Sequence, residues 1–360
     1  MNESISKAIT FLRFPLIFMV VVLHAQFTTL DVNALSVYSF ISTLMSNILT
    51  RVAVPMFFVI SGYLFFYKVA EFSLSVYGDK LKKRVNSLLI PYVLWIAVFI
   101  LAYSVIIKVN LVSMSGGKTV YDYEMMDYLL AFFNENINEN GVIAVFTGEG
   151  APIAFHMWFI RDLMIVCIIS PIIYVLCKDM VVGGGISVVL LVLWVMNMSL
   201  DASGHYYLSA ITFFSVGAYL QLQNMRLQNL SNAWWLILVY LIGAVVECIL
   251  FRGSQPICMI VHNVNILIGI VAFFVAALKI ANKISVPMIM TESTFFVYGI
   301  HAMVILLLSK LAQRFVPQSD LLMTITYVFV PIICTVMCVC MYVLARLIMP
   351  QVTKVLTGGR

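Results

Sequence analysis

The chain has 360 residues, of which 63% are hydrophobic and 10% are charged, and its formal net charge is +5. A mean hydropathy of +1.05 excludes an ordinary soluble domain, in which roughly half of the residues are apolar and about a quarter are charged. The small positive charge gives no reason to expect nucleic-acid binding. The seven cysteines lie mostly in apolar runs without zinc-ligand spacing, so we expect packing thiols and no metal site.

Apolar segments recur along the chain at lengths near the roughly 20 residues that a helix needs to cross a bilayer. Such segments form helices in lipid because a helix satisfies its own backbone hydrogen bonds. The pattern predicts an all-α fold, a polytopic membrane helix bundle of about ten transmembrane helices in one domain over residues 1–360. The predicted spans are 14–30, 46–67, 88–108, 156–177, 182–199, 205–222, 232–250, 258–279, 286–309 and 321–349.

Lysine and arginine residues concentrate in alternate connections, and the cytoplasmic loops of membrane proteins are enriched in both. This distribution predicts that both termini are cytoplasmic. The one long connection, near 109–155, is rich in Asn, Gly, Asp and Glu and is predicted to be extracytoplasmic. We expect the first apolar run to be a retained span, because it has no small-residue cleavage site and carries His24.

Arg13 and His24 are ionisable residues of the first span, where a charged group costs about 2.5–3.5 kcal/mol. Arg13 and His24 are eleven positions apart in the sequence. On a helix, two residues eleven positions apart point within about 20° of each other and lie about 16 Å apart along the axis. We therefore predict that both face one interior cavity, with Arg13 at its cytoplasmic mouth and His24 deep in the membrane. The alternatives are a snorkelling topological anchor for Arg13 and a satisfied interior imidazole for His24.

Two further motifs each have a structural and a functional interpretation. Pro55 and Gly62 interrupt the second span, and Ser61 precedes Gly62. A Ser-Gly pair marks close helix packing, or Gly62 lets a ligand or another backbone approach while Ser61 donates a hydrogen bond near the cavity. Lys83 and Arg84 end a basic cluster ahead of the third span. Such clusters set topology and contact anionic lipids, or they bind a phosphorylated cofactor.

Other ionisable residues differ in their expected contact with water. Arg161 and Asp162 fall inside the apolar boundary of the fourth span, so they need partners that face the bundle. His205 and His262 lie near the outer ends of loops, where we expect them to be solvated.

The ninth span combines Tyr298, His301 and Glu292. Tyr298 and His301 are one helical turn apart and share a face, whereas Glu292 and His301 project about 180° from each other. A straight helix cannot place Glu292 and His301 in one narrow cavity. We therefore favour Tyr298 and His301 as site residues and expect Glu292 to orient a neighbouring helix.

Motifs from five regions occur in order along nearly the whole chain, and together they resemble the acyltransferase 3 family. Members of that family are bacterial multi-pass enzymes that move acyl groups, commonly acetyl from acetyl-CoA, onto surface carbohydrates or other extracytoplasmic acceptors. The motifs are Arg13 with ten residues before His24, Phe57-Phe58-Val59-Ile60-Ser61-Gly62-Tyr63, Lys83-Arg84 ahead of Pro91-Tyr92, His156-Met157-Trp158-Phe159 and Phe296-Val297-Tyr298-Gly299-Ile300-His301.

The resemblance implies an O-acyltransferase that moves an acyl group from acyl-CoA to a hydroxyl of a cell-surface carbohydrate or its lipid-linked precursor. Acetyl-CoA is the implied co-substrate. The implied location is the bacterial cytoplasmic (inner) membrane, in contact with membrane lipids. Larger family members append an extracytoplasmic hydrolase-like domain, so transfer here is expected to finish in the membrane domain, in an oligomer or with a partner transferase.

The implied mechanism places the phosphates of the donor on arginine side chains and its thioester near His24. His24 then acts as general base on the acceptor hydroxyl or carries the acyl group for a time. Ser61 or Tyr298 donates to the developing oxyanion. The predicted catalytic residues are His24, Arg13, Ser61, Tyr298 and His301, and the predicted donor-binding residues are Arg13, Arg84, Lys83 and Gly62.

A secondary transporter or exporter is the alternative function, with Arg13, His24, Glu292 and His301 as a proton or ligand path. Buried polar residues serve transporters equally well, but the chain has no defensible half-chain repeat of the kind that many transporters carry. A membrane scaffold would explain the hydrophobicity and leave the polar residues without a role.

Overall fold

The computed structural model describes residues 2–25, 36–69, 71–108, 120–133, 151–200, 206–250 and 256–359. Every regular element within these ranges is helical, which confirms the all-α prediction. Two short stretches of tighter or wider helix, 43–48 and 49–52, precede the helix that begins at Ala53, and a third, 85–89, precedes the helix that begins at Ile90. The helices are α1 (Glu3–Leu23), α2 (Val37–Ser42), α3 (Ala53–Phe66), α4 (Leu74–Arg84), α5 (Ile90–Lys108), α6 (Met125–Leu130), α7 (Trp158–Ile168), α8 (Ser170–Cys177), α9 (Met180–Leu200), α10 (Tyr206–Leu222), α11 (Trp235–Leu250), α12 (Pro256–Ile280), α13 (Met288–Phe315), α14 (Asp320–Ile348) and α15 (Pro350–Leu356).

The described residues contain six continuous helical segments that are long and apolar enough to cross a membrane. A seventh span is possible by length if Phe155–Ile168 and Ser170–Cys177, which are bent by 63° at their break, form one crossing. Three apolar helices are shorter: Met180–Met196, Tyr207–Leu222 and Trp235–Ile249. Length and composition therefore support six or seven spans, and the count of ten and the cytoplasmic termini stay predictions. The six segments are Glu3–Leu23, Val37–Phe66, Leu74–Lys108, Ile257–Ile280, Met288–Phe315 and Asp320–Ile348.

The first helix begins at Glu3, well before the start predicted at residue 14. The Asn2 side chain caps α1 by accepting a hydrogen bond from the Ser4 amide, and Glu3 places a negative charge in the first turn. This polar turn lies outside the apolar run on which the prediction depended. Arg13 therefore lies in the middle of α1 and His24 is its C-terminal cap, whereas the predicted span 14–30 placed Arg13 at its start and His24 in its middle.

α1 occupies the centre of the bundle, where α3, α12, α13 and α14 all pack against it. Two ion pairs, one buried and one partly exposed, follow the sequence expectations. Arg161 and Asp162 of α7 are only 2% and 0% exposed, and Arg161 Nε donates to Asp162 Oδ1 at 2.8 Å. Glu292 of α13 pairs with Arg346 of α14, as expected for a residue that orients a neighbouring helix.

Gly62 lies at the closest helix contact around the site, between α3 and α10. A Cβ atom on Gly62 would stand 2.0 Å from the Phe214 carbonyl oxygen, and one on Gly217 would stand 2.0 Å from the Val59 carbonyl oxygen. The two backbones therefore touch at both glycines, as small residues allow in membrane helix packing. This placement favours the packing interpretation of Gly62 over a role in donor binding.

Substituting Gly62 with alanine is expected to lower the free energy of unfolding by about 1–3 kcal/mol, because the added methyl group forces α3 away from the α10 backbone. Thermal unfolding of the purified protein in detergent measures the effect. Gly185→Ala is the matched control, since a Cβ atom at Gly185 meets nothing within 4 Å. Equal destabilisation by the two substitutions would contradict the packing role.

Candidate functional site

A cavity of about 730 Å³ runs through the bundle beside α1, bounded mainly by α1, α3, α7 and α13 with the first turns of α12. Apolar side chains form most of its wall, which suits an acyl chain or a pantetheine arm. Its polar side chains are few. They are Arg13, His24, Asn47, Arg51, Ser61, Arg84, His156, Ser209, His262, Thr294 and Tyr298.

The cavity is electropositive in its side-chain composition. Arg13, Arg51 and Arg84 line it, and no Asp or Glu occurs among the described residues that do so. Guanidinium groups bind phosphate and carboxylate oxygens through two parallel hydrogen bonds. The arrangement therefore suits an anionic ligand with an apolar part.

Arg13 and His24 both line this cavity, which confirms the prediction that they share one face of the first helix. Arg84 contacts the cavity at the far end of α3, where its guanidinium lies 5.7 Å from the centre of the Phe65 ring. At the opposite end, the Ser46 hydroxyl donates to the Val22 carbonyl at 2.9 Å, close to His24. Arg84 and His24 thus mark opposite ends of the cavity.

Three imidazoles from three helical segments meet at the His24 end. The His24 and His301 rings lie 5.5 Å apart between centres, and His156 and His301 lie 4.9 Å apart. The Phe155 ring meets His24 edge-on at 5.0 Å. His301 is fully buried and is not among the residues that line the cavity, so it contacts His24 and His156 from the core of the bundle.

Backbone carbonyls fix the proton positions on two of these imidazoles. His301 Nδ1 lies 2.8 Å from the Tyr298 carbonyl oxygen, and His156 Nε2 lies 3.2 Å from that of Gly299. A carbonyl only accepts, so both ring nitrogens carry hydrogen. The other nitrogens, His301 Nε2 and His156 Nδ1, are buried acceptors without a hydrogen-bond partner in the described chain, and each can accept from an incoming donor.

The two side chains predicted to donate to the oxyanion differ in whether their hydroxyl hydrogen is already used in another hydrogen bond. The Tyr298 hydroxyl donates to the His156 carbonyl at 2.5 Å, so its hydrogen is already engaged in holding the turn before α7. Tyr298 therefore positions His156 in this structure, and its role as an oxyanion donor stays a prediction. Ser61 lines the cavity and makes no hydrogen bond to any described residue, which leaves its hydroxyl available.

The two residues of the basic cluster that were predicted to bind the donor differ in their contact with the cavity. Arg84 lines the cavity, whereas Lys83 is exposed and does not. Lys80 lies over the Phe65 ring at 5.2 Å and donates to the Phe65 carbonyl, so it braces the helix end near Arg84. The structure therefore supports Arg84 alone of the predicted Lys83–Arg84 pair as a ligand contact.

Sequence reasoning missed Arg51, Asn47 and His262 as lining residues. Arg51 and Asn47 lie inside the predicted span 46–67, where an ionisable residue is itself a signal. His262 was expected to be solvated, but it lines the cavity, its side chain is 25% exposed, and it bonds to a glutamate. His205 lies outside the described residues.

Comparisons with known proteins agree with these motifs. A family model described as an acyltransferase domain, that of the acyltransferase 3 family, matches residues 6–346. The succinoglycan biosynthesis protein ExoH of Rhizobium meliloti (strain 1021) is 25% identical over 240 residues, which cover 64% of this chain and 58% of that protein. No solved structure matches the chain. Since the family model covers nearly the whole chain, this protein belongs to the acyltransferase 3 family of membrane acyltransferases.

Proposed function

We propose that the protein is an O-acyltransferase of a bacterial inner membrane, which moves an acyl group, commonly acetyl, from acyl-CoA to a hydroxyl of a surface carbohydrate or its lipid-linked precursor. The observation that carries the proposal is the single cavity that joins the arginines to His24. Family membership and the similarity to a succinoglycan biosynthesis protein support transfer to a polysaccharide.

The arginine end of the cavity suits the nucleotide part of the donor. Arg84 and Arg13 supply guanidinium groups for the phosphates, and the apolar wall between Arg13 and His24 suits the pantetheine arm. Along α1, Arg13 and His24 are about 16 Å apart. An extended ligand that binds phosphate near Arg13 can therefore present a thioester to His24.

The histidine end suits the chemistry. A thioester is activated enough for either role of His24, as a base on the hydroxyl or as a carrier of the acyl group. In both routes a carbon–oxygen bond to the acceptor forms, the carbon–sulfur bond of the donor breaks, and CoA leaves as the thiol. The Ser61 hydroxyl is the available donor for the oxyanion.

The test uses the full chain in nanodiscs with radiolabelled acetyl-CoA and a glycan extract. Label is expected in the glycan, with release of CoA thiol in equal amount, and empty nanodiscs give the background. A native chain that never consumes acetyl-CoA, yet moves a solute across vesicles, would contradict the proposal and support the transporter.

Arg84→Gln in the same assay is expected to raise the KM for acetyl-CoA by about tenfold, because one charged phosphate contact is lost. The kcat should change much less, since Arg84 lies far from His24. A fall in kcat at unchanged KM would contradict the assignment of Arg84 to the donor phosphates. Lys354→Gln, which removes a cation from α15 outside the cavity lining, is the matched control.

A further inference from the structure

A second polar site opens on the cavity from α11 and α12. Glu247 of α11 and His262 of α12 form a hydrogen-bonded pair, with 2.5 Å between Glu247 Oε1 and His262 Nδ1. The glutamate side chain is 8% exposed, and His262 lines the cavity. Neither residue belongs to the motifs that resemble the family.

The bonds around Glu247 fix the orientation and tautomer of His262. Asn265 Nδ2 donates to Glu247 Oε2 at 3.2 Å, so both carboxylate oxygens act as acceptors. A Cβ atom on Gly243 would stand 2.7 Å from Asn265 Oδ1, which shows how closely α11 approaches α12 here. With Nδ1–H donating to the carboxylate, His262 Nε2 carries a lone pair and is a hydrogen-bond acceptor, and it makes no hydrogen bond to the described residues.

The pair lies at the His24 end of the cavity. The Cys248 thiol, next to Glu247, donates to the Phe40 carbonyl at 3.7 Å. The segment that follows Phe40 contacts the end of α1, where Ser46 bonds to the Val22 carbonyl. The Glu247–His262 pair therefore lies on the side of the cavity opposite the donor arginine, Arg84.

We propose that His262 is the general base for the acceptor hydroxyl and that Glu247 is its positioning residue; this inference rests on the proposed function. As the hydroxyl oxygen bonds to the acyl carbon, Nε2 of His262 takes the hydroxyl proton. The bond from the acyl carbon to the atom that carried it, either the sulfur of the donor or a ring nitrogen of His24, breaks. The proton then passes from His262 to that departing atom, which becomes neutral. An imidazole held by a carboxylate is the arrangement that removes a proton from a hydroxyl in serine hydrolases.

The test compares two acceptors, the glycan and hydroxylamine, with labelled acetyl-CoA as donor. Hydroxylamine attacks thioesters and acyl-imidazoles without a general base, so a base is needed only for the glycan hydroxyl. His262→Gln is expected to lower transfer to the glycan about 100-fold or more, and to leave transfer to hydroxylamine within about threefold of native after subtraction of the uncatalysed rate. Glu247→Gln is expected to lower glycan transfer about tenfold or more with the same selectivity.

Glu292→Gln is the matched control, because it removes a carboxylate that pairs with Arg346 away from the cavity lining. It should change neither rate by more than about twofold. If the His262 and Glu247 variants lose transfer to the glycan and to hydroxylamine equally, the two residues have a structural role. Undiminished transfer to the glycan would exclude His262 as the general base. Either result overturns this inference and leaves the proposed function standing. A native chain that acylates neither acceptor would overturn the proposed function and the inference together.

Discussion

Replacing His24 with alanine is expected to lower acyl transfer to the glycan about 1,000-fold. His24 lies at the junction of the cavity and the buried histidines, in contact with Phe155 and His301. If His262 removes the hydroxyl proton, His24 is the group left to carry the acyl chain. Transfer to hydroxylamine should therefore fall together with transfer to the glycan, which is the opposite of the selectivity expected for His262→Gln.

Two near-isosteric variants separate chemistry from hydrogen bonding at His24. His24→Asn and His24→Gln keep an amide nitrogen near one or the other ring nitrogen, but neither can exchange a proton or carry an acyl group. Both should be as inactive as the alanine variant while they retain binding of acetyl-CoA. Recovery of transfer to within about tenfold of native by either amide would contradict a chemical role and leave His24 as a hydrogen-bonding residue.

Features set by helix geometry and by the cost of buried charge could be predicted from the sequence. Arg13 and His24 share a face because the helical period is fixed, whatever the helix contacts. Arg161 and Asp162 pair inside the bundle because an unpaired charge there is too costly. The all-α class follows from the same argument about backbone hydrogen bonds in lipid.

Features set by contacts between distant segments could not be predicted in this way. The Tyr298 hydroxyl is engaged by the His156 carbonyl, 142 positions earlier in the chain. The same holds for the Glu247–His262 pair, which forms only because α11 and α12 are adjacent. Hydropathy marks a span by its apolar part, so it also missed the polar first turn of α1 and placed Arg13 at the start of the helix, although Arg13 lies in its middle.

Arg13→Gln is expected to lower kcat/KM for acetyl-CoA by about 100-fold, the effect of two lost charge-assisted hydrogen bonds. Arg13 lies in mid-helix on the cavity wall, and no carboxylate in the described part of the chain forms an ion pair with it. A guanidinium in that position needs an anion, and we propose that the phosphates of the acyl-CoA donor are that anion. Arg13→Lys keeps the charge but loses the paired geometry, so a loss of about tenfold is expected.

Acetyl-pantetheine, which has the thioester and the arm of the donor but no phosphate, identifies the partner of Arg13. If the guanidinium binds phosphate, Arg13→Gln should change kcat/KM for acetyl-pantetheine by no more than about threefold, because the truncated donor never makes the contact. Arg314→Gln, at an exposed position near the end of α13, controls for the loss of one cation. Equal losses with both donors would place Arg13 at the acyl thioester or the pantetheine arm and away from the phosphates, since the thioester and the arm are the parts common to the two substrates.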